Sequence, residues 1–297
     1  MAGECQLHKD IKNKFNIVGA SPAALGEPRS WRDLPLRLGQ VDFINCLPIN
    51  LPIELGEVNV NAKIISGVPS ELNQMILKGE IDIAPVSSIT FLENKDKLIP
   101  IGDLCISSDG PADSVLLFSQ FPIEELGGAK IRLSNASATS NKLLEIIFKE
   151  FLKINAMFDI KDKEYHAHLL IGDHALLEYS KMPRNVFIYD LGSLWKKYTG
   201  LPMAFGIWVV RREIQEQFPV ETLRATSLLR QSLDLGLGSM FDKVIKKAQG
   251  TVLISKEFYN SYFQHLKYDF TDECKRGLEI FEELTNKTKV TFEKLAI

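Results

Sequence analysis

From residue 36 onward, short apolar runs alternate along the chain with longer segments whose apolar residues recur at helical spacing. This alternation is the feature that most narrows the choice of fold, because strands that are each followed by a helix build a sheet with helices packed on its faces. The same stretch contains no internal repeat and no low-complexity segment. The sequence therefore predicts an α/β fold.

Turn and capping signals set the bounds of the predicted elements. Pro69 stands where a helix would begin and Gly79 lies just past its end, an arrangement that is typical of helix termini. The predicted strands are residues 36–40, 58–65, 81–84, 114–118, 130–133, 166–170, 186–189 and 203–210. The predicted helices are residues 69–78, 89–92, 143–152, 221–235, 256–266 and 273–284.

Two of these strands, residues 114–118 and 203–210, are strongly apolar runs suited to link two strand-rich halves of the chain. Such links predict two hinged lobes with a cleft between them. We expect the first lobe to comprise residues 36–118 together with 206–297, and the second to comprise residues 119–205. Residues 1–35 are rich in turn-forming residues and lack a strong periodicity, which predicts a flexible N-terminal appendage.

The charge balance excludes several classes of partner. The chain has 297 residues, with 35 Lys and Arg against 38 Asp and Glu and a formal net charge of -3. Such a chain lacks the cationic excess that drives binding to nucleic acid or to anionic lipid, so we expect neither partner. Residues 1–33 lack the apolar segment of a secretory signal, and no window approaches the ~20 apolar residues of a membrane span. We therefore expect a cytoplasmic location.

Familiar cofactor and metal motifs are missing from the sequence. The four cysteines show no paired spacing, which argues against a zinc site and a redox pair. There is no phosphate loop, dinucleotide fingerprint, nucleophile elbow or zinc helix motif. His166 and His168 share one face of a predicted strand, but without a third ligand they favour a solvent-facing strand over a metal site. We expect no cofactor and no metal.

Three polar clusters each follow a predicted strand and begin a helix. They are Asn45-Cys46, Ser87-Ser88 and the run from Ser137 to Ser140. The first amides of a helix are unpaired and carry partial positive charge, so they bind anions, and ligands of α/β sheets collect at the carboxyl ends of strands. Ser and Thr are also ordinary helix caps, which is the alternative for each cluster taken alone. Together the clusters predict a site for a small carboxylate or phosphate.

A series of short motifs resembles one enzyme family, the chorismate dehydratases of the futalosine route to menaquinone. The likeness is close over residues 36–211 and looser over the helical tail. The motifs, in chain order, are LGQVDFINCLP (38–48), VPSELN (68–73), DIAPVSS (82–88), ISSDGP (106–111), SVLLFS (114–119), SATS (137–140), LIGD (170–173), DLG (190–192), Trp195 and TGLP (199–202).

The resemblance implies a two-lobed fold like the type II periplasmic solute receptors, with a ligand cleft between the lobes. It implies that a small-molecule substrate, chorismate, loses water to give 3-[(1-carboxyvinyl)oxy]benzoate, and we expect a monomer or a homodimer. The sister enzyme that forms 1,4-dihydroxy-6-naphthoate begins with a Ser-Pro-Cys-Pro-Asn-Asp type motif, whereas this chain has FINCLP at residues 43–48. The dehydratase is therefore the closer match.

The same resemblance assigns site residues by position. Asn45 would hydrogen-bond the reacting region of the substrate, and Ser114 would bind a carboxylate or the departing hydroxyl group. The residues expected to bind substrate are Ser87, Ser88, Ser108, Ser137, Thr139, Ser140 and Asp190.

The motifs offer few groups that could serve as a base. Our hypothesis is therefore substrate assistance, in which the enolpyruvyl carboxylate of chorismate takes the ring proton. Asp113 is the rival base.

The alternative of another class is a cytosolic binding protein for a small dicarboxylate, which the same cleft would support.

Overall fold

The computed structural model describes residues 36–159 and 164–295, so the predicted N-terminal appendage of residues 1–35 lies outside the described residues. The described chain forms strands β1 (Leu36–Val41), β2 (Ala62–Gly67), β3 (Ile83–Ser87), β4 (Leu98–Ser108), β5 (Val115–Ser119), β6 (Lys130–Arg132), β7 (Met157–Asp159), β8 (Ala167–Ile171), β9 (Phe187–Asp190), β10 (Met203–Arg211) and β11 (Leu266–Asp269).

The α-helices of the described chain are α1 (Leu47–Glu54), α2 (Pro69–Leu77), α3 (Ser88–Leu92), α4 (Ala138–Ile146), α5 (Gly172–Ser180), α6 (Leu191–Thr199), α7 (Arg212–Gln217), α8 (Pro219–Leu237), α9 (Phe241–Thr251), α10 (Lys256–His265) and α11 (Asp272–Leu295). Short 3-10 turns lie at Ile44–Cys46 and Ile123–Glu125, and α4 continues as a π-helix over Ile147–Leu152. None of these helices is both long and apolar enough to cross a membrane.

The strands form two mixed sheets, and the predicted α/β fold is confirmed. The six-stranded sheet has the order β11-β4-β10-β3-β1-β2, and the five-stranded sheet has the order β7-β6-β8-β5-β9. In the first sheet β1 runs parallel to β2 and β3, whereas β10 is antiparallel to both of its neighbours. The strands β3, β5 and β10 are almost wholly buried, which explains why they are apolar without alternation.

The structure corrects the sheet membership of one strand. Residues 114–118 were expected to belong to the first lobe, but β5 pairs with β8 and β9 in the five-stranded sheet. The chain passes from the first sheet to the second in the segment between Ser108 and Val115. A continuous apolar run predicts a buried strand but carries no information about which sheet buries it.

The predicted helix at Pro69 is confirmed, and its neighbour illustrates a limit of periodicity. The helix α2 begins at Pro69, buries Leu72 and Ile76, and is followed by Gly79 in the left-handed region at a φ of 77°. The preceding strand was predicted over residues 58–65, whereas β2 spans Ala62–Gly67. Val58 is buried although it lies outside the strand, so the alternation of apolar residues begins before the strand does.

A buried charge cluster ties the ends of β1 and β10 together. The carboxylate of Asp82 is 1% exposed and accepts hydrogen bonds from the backbone and the guanidinium of Arg37. The guanidinium Nη2 of Arg211 also donates to Asp82 Oδ1, at 2.7 Å. Although burial opposes ionisation of Asp82, these donors more than compensate, and the pKa of Asp82 is lowered.

A close helix contact positions the turn that carries Asn45. The helix α1 follows this turn directly and packs on α8, where the Ser232 hydroxyl donates to the carbonyl of Ile49 at 2.6 Å. A Cβ atom at Gly236 of α8 would lie 1.9 Å from the carbonyl oxygen of Pro48. Glycine is therefore required at residue 236 for the two helices to approach this closely.

Candidate active site

A cavity with an empty volume of about 560 Å³, part of it open to solvent, lies where elements of both sheets meet. Its lining comprises Val41, Phe43, Asn45, Cys46, Pro69, Pro85, Val86, Ser87, Ile106, Ser114, Val115, Ser137, Ser140, Ile171, Gly172, Phe205 and Gly206. No Asp, Glu, His, Lys or Arg of the described residues belongs to this lining.

Five of the predicted site residues meet in this cavity. They arrive from different elements: the 3-10 turn after β1, the end of β3, the segment before β5, and the start of α4. These five are Asn45, Ser87, Ser114, Ser137 and Ser140. The first turns of α4 and α5 also reach the lining, so helix amides with partial positive charge accompany the hydroxyl groups.

Asn45 presents an uncommitted polar group to the cavity. Its backbone carbonyl accepts a hydrogen bond from the Tyr268 hydroxyl at 2.8 Å, which holds the 3-10 turn in place. Its side-chain Oδ1 is buried and has no partner among the described residues. Because a buried amide oxygen without a partner is costly, this atom is well suited to bind a ligand.

Ser114 directly precedes β5 and is 2% exposed. Its hydroxyl oxygen accepts a hydrogen bond from the Tyr262 hydroxyl at 3.1 Å and donates to the carbonyl of Ala112 at 3.3 Å. A serine hydroxyl has one donor and two acceptor positions. Ser114 therefore has one acceptor position left, and the hydrogen bond that it donates is a long one.

The serines at the helix starts are held by local hydrogen bonds. Ser137 caps α4 by accepting from the amide of Ser140 at 3.1 Å, and it donates to the Ser140 hydroxyl at 3.0 Å. The Ser87 hydroxyl accepts from the side-chain amide of Asn73 at 3.0 Å and lies 2.8 Å from the Thr90 hydroxyl. These bonds fix the hydroxyl groups before a ligand arrives, which lowers the entropic cost of binding.

The structure places the other four predicted binding residues outside the lining. The Ser88 hydroxyl is buried and donates to the carbonyl of Ala204 at 2.7 Å. Thr139 is also buried and accepts from the amide of Ile89 at 3.0 Å. Both side chains therefore serve packed contacts within the protein.

Ser108 and Asp190 support the segment that precedes Ser114. The Ser108 hydroxyl donates to the carbonyl of Gly110 at 2.9 Å. Asp190 caps α6 by accepting from the amide of Ser193, and its Oδ2 accepts from the amide of Asp113 at 2.7 Å. Burial raises the pKa of Asp190, although these amide donors act in the opposite direction.

Two further carboxylates lie near the cavity without lining it. Asp113 has a φ of 56°, and its Oδ2 lies 2.6 Å from Nδ1 of His265. Asp173 follows Gly172 in α5, and its Oδ1 accepts from the amide of Ile44 at 2.9 Å. Burial raises the pKa of Asp173. The Asp113–His265 pair was missed by sequence reasoning, since its two members are 152 residues apart.

Tyr262 is the other contributor that sequence reasoning missed. In the sequence it belongs to a predicted helix with Tyr259 and Phe263, and aromatic residues at this spacing are typical of core packing. Tyr262 is indeed completely buried, so only its hydroxyl contact with Ser114 distinguishes it from its neighbours.

Solved structures with the same architecture define the fold class. A protein from Archaeoglobus fulgidus aligns with a TM-score of 0.67 at 16% identity, over 86% of this chain and 98% of its own. The periplasmic aliphatic sulphonate binding protein of Escherichia coli aligns with a TM-score of 0.58 at 13% identity, over 86% of this chain and 87% of its own. The predicted two-lobed, periplasmic-binding-protein-like α/β fold is confirmed.

Sequence relatives then define the family. A protein of Thermus thermophilus named chorismate dehydratase is 27% identical over 270 residues, which are 84% of this chain and 94% of the relative. The 1,4-dihydroxy-6-naphtoate synthase of the same organism is 24% identical over 174 residues, 53% of this chain and 61% of the relative. The family model described as menaquinone biosynthesis matches residues 36–287. The chain belongs to this menaquinone biosynthesis family.

Proposed function

We propose that the protein is a carbon–oxygen lyase that dehydrates chorismate to 3-[(1-carboxyvinyl)oxy]benzoate on the futalosine route to menaquinone. The observation that carries the proposal is the cavity itself, in which Asn45 Oδ1 has no partner among the described residues and the Ser114 proton makes only a long hydrogen bond. The resemblance to the Thermus thermophilus chorismate dehydratase supports the choice of substrate.

The polar lining suits a doubly anionic ring acid. Chorismate carries one carboxylate on its ring and one on its enolpyruvyl group. Ser137 and Ser140 lie at the first turn of α4, where unpaired amides favour negative charge, and Gly172 brings the start of α5 into the same cavity. We assign one carboxylate to the first turn of α4.

The reaction breaks a C–H bond and a C–O bond on two neighbouring ring carbons and makes the ring aromatic. The C–H bond at the carbon that bears the enol ether gives up its proton, and its electron pair becomes part of the new ring double bond. The neighbouring C–O bond then breaks, and the departing hydroxyl group leaves as water with the removed proton. The protein must orient the substrate, provide for the proton transfer and donate to the leaving oxygen.

The cavity lining supports substrate assistance for the proton transfer. The described lining contains neither a carboxylate nor a histidine, and Asp113 and Asp173 are occupied by His265 Nδ1 and by the amide of Ile44. The enolpyruvyl carboxylate of the substrate therefore takes the ring proton, while Asn45 hydrogen-bonds the reacting region. Ser114 donates to the departing hydroxyl group.

The decisive experiment incubates the purified protein with chorismate and follows product formation by ultraviolet absorbance and mass spectrometry. We expect one equivalent of water to be lost and an aromatic dicarboxylate to form. Binding of chorismate without turnover would instead favour the alternative, a binding protein for a small dicarboxylate. A sulphonate binding protein has the same fold. Release of a naphthoate from a futalosine derivative would favour the activity named for the second Thermus relative.

A further inference from the structure

Tyr262 is held in one orientation inside an aromatic cluster. It lies in α10, is 0% exposed, and stacks on Phe258 with ring centroids 6.1 Å apart and an interplanar angle of 11°. Phe263 meets the same ring at 5.2 Å and 61°. Burial raises the pKa of Tyr262 well above its ordinary value, so the phenol keeps its proton. Its hydroxyl group is therefore a fixed hydrogen-bond donor.

This donor meets one hydroxyl of the cavity. Tyr262 donates to Ser114 Oγ at 3.1 Å and thereby uses one acceptor position of that oxygen. The remaining proton of Ser114 makes only a 3.3 Å bond to the carbonyl of Ala112, longer than the usual 2.7–2.8 Å or so of an O–H···O bond. A hydroxyl that accepts a hydrogen bond also becomes a better donor. Because Tyr262 occupies one acceptor position, the Ser114 proton is held only by this long bond and can turn towards a ligand in the cavity.

The backbone just before Ser114 is fixed by a second contact from the same helix. His265 lies one turn after Tyr262, and its Nδ1 is 2.6 Å from Oδ2 of Asp113. The amide of Asp113 donates to Asp190 at 2.7 Å, and Asp113 holds a φ of 56° that only a minority of residues other than glycine adopt. Because α10 and α6 together fix this segment, the Ser114 side chain has a rigid base.

We infer that Tyr262 is a positioning residue: its buried hydroxyl orients Ser114 so that the serine proton is donated to the ligand. Tyr262 does not line the cavity and acts through Ser114 alone. The inference rests on the proposed function for its effect on turnover, but the hydrogen bond itself can be tested without it.

The test is a double-mutant cycle between Tyr262→Phe and Ser114→Ala. Phenylalanine keeps the ring and its packing and removes only the hydroxyl, so we expect kcat to fall about tenfold, the equivalent of one hydrogen bond of about 1.4 kcal/mol, with KM nearly unchanged. In the Ser114→Ala background, Tyr262→Phe should cause no further loss, because its only route to the substrate has been removed.

Tyr259→Phe is the matched control. Tyr259 lies on the same helix, is equally buried, and donates its hydroxyl to the carbonyl of Val252 at 2.7 Å, away from the cavity. We expect this variant to lower thermal stability while kcat stays at the wild-type value. Equal effects of the two phenylalanine variants on kcat would overturn the inference, and so would additive losses in the cycle.

A crystal structure of Tyr262→Phe separates this inference from the proposed function. If the wild-type protein forms no aromatic product from chorismate, the proposed function fails and the structure of the variant decides the inference. A Ser114 hydroxyl that occupies a different rotamer, or more than one, supports the positioning role. A Ser114 side chain that is unchanged in the variant overturns it.

Discussion

At the scale of single residues, neighbouring hydroxyl groups of the same chemistry have different tasks. Ser87 lines the cavity while the next residue, Ser88, donates to a backbone carbonyl inside the protein. Ser140 and Thr139 divide in the same way at the start of α4. Consecutive side chains point in different directions both across the junction from β3 to α3 and within the first turn of α4.

Asn45→Ala should remove the amide that meets the reacting region of the substrate. We expect kcat to fall by roughly 10²–10³ while the fold is retained, since one preorganised hydrogen-bonding side chain that acts only in the transition state contributes an effect of this size. Steady-state kinetics with chorismate, alongside circular dichroism, measure both quantities. Asn59→Ala is the control, because Asn59 is exposed and lies outside the cavity lining.

The same measurement distinguishes the two bases. If Asp113 takes the ring proton, Asp113→Asn will abolish turnover while Asn45→Ala retains most of it. Substrate assistance predicts the reverse order of severity, with a smaller loss in Asp113→Asn that reflects only its contact with His265.

The sequence located the polar positions of the site but not their directions. The short motifs placed Asn45, Ser87 and Ser114 at strand ends, and the cavity unites these three residues. The contributions of Tyr262 and His265 were not predictable, because they depend on a helix near the C-terminus that docks against the segment before β5. Contacts over such sequence separations have no local pattern.

At the scale of elements, a buried carboxylate just before β3 joins the start of β1 to the end of β10 in the middle of the six-stranded sheet. The carboxylate of Asp82 accepts hydrogen bonds from Arg37 and Arg211, which lie at the start of β1 and at the end of β10. The loss of one partner from such a buried cluster leaves uncompensated charge, which costs far more than the loss of a surface ion pair.

Asp82→Asn should therefore destabilise the fold by about 3–5 kcal/mol, measured by urea unfolding monitored by tryptophan fluorescence. Asp109→Asn is the control, since the Lys196–Asp109 pair is largely exposed and should contribute little. An equal loss in both variants would contradict the assignment.

The pH dependence of stability follows from the same group. The pKa of Asp82 is lower in the folded protein than in the unfolded chain, so the folded state binds fewer protons between the two pKa values. The contribution of Asp82 to stability is present above the unfolded pKa of about 3.9 and is lost as the pH falls through the folded pKa. In Asp82→Asn, this component of the acid dependence should disappear.

At the scale of the whole molecule, hydrogen bonds connect the helices of the two sheets. The amide of Ile89 in α3 donates to Thr139 in α4, and the amide of Ile44 donates to Asp173 in α5. Each bond runs from an element after a strand of the six-stranded sheet to an element after a strand of the five-stranded sheet. They hold the lobes together around the cavity.

Thr139→Val should favour an arrangement in which the lobes separate. Valine has nearly the same volume but leaves the amide of Ile89 without a partner, at a cost of about 1–3 kcal/mol. We expect KM for chorismate to rise about tenfold with a smaller change in kcat, and small-angle X-ray scattering to show a larger radius of gyration without ligand.

Thr199→Val is the matched control, because among the described residues the Thr199 hydroxyl bonds to Trp195 and Leu201, which lie close to it in the sequence. A drop in thermal stability in both threonine variants, with KM unchanged in Thr139→Val, would show that the Thr139 contact does not govern lobe closure.

The two-lobed plan was predictable from the sequence, whereas the sheet to which β5 belongs was not. The alternation of apolar runs and helical patterns is a local property, and it predicted the α/β class and most of the elements. Assignment of β5 to the five-stranded sheet depends on its pairing with β8 and β9. Even the paired residues that are closest in sequence, Ser119 and Ala167, are 48 residues apart.

The contact between Gly236 and the carbonyl of Pro48 links the composition of a remote helix to the shape of the cavity. A methyl group at residue 236 would force α8 and α1 apart, and α1 is continuous with the turn that bears Asn45. Residue 236 thus helps to shape the cavity although it does not line it. A loss of turnover caused by its replacement would therefore report a change of geometry and not the loss of a reacting group.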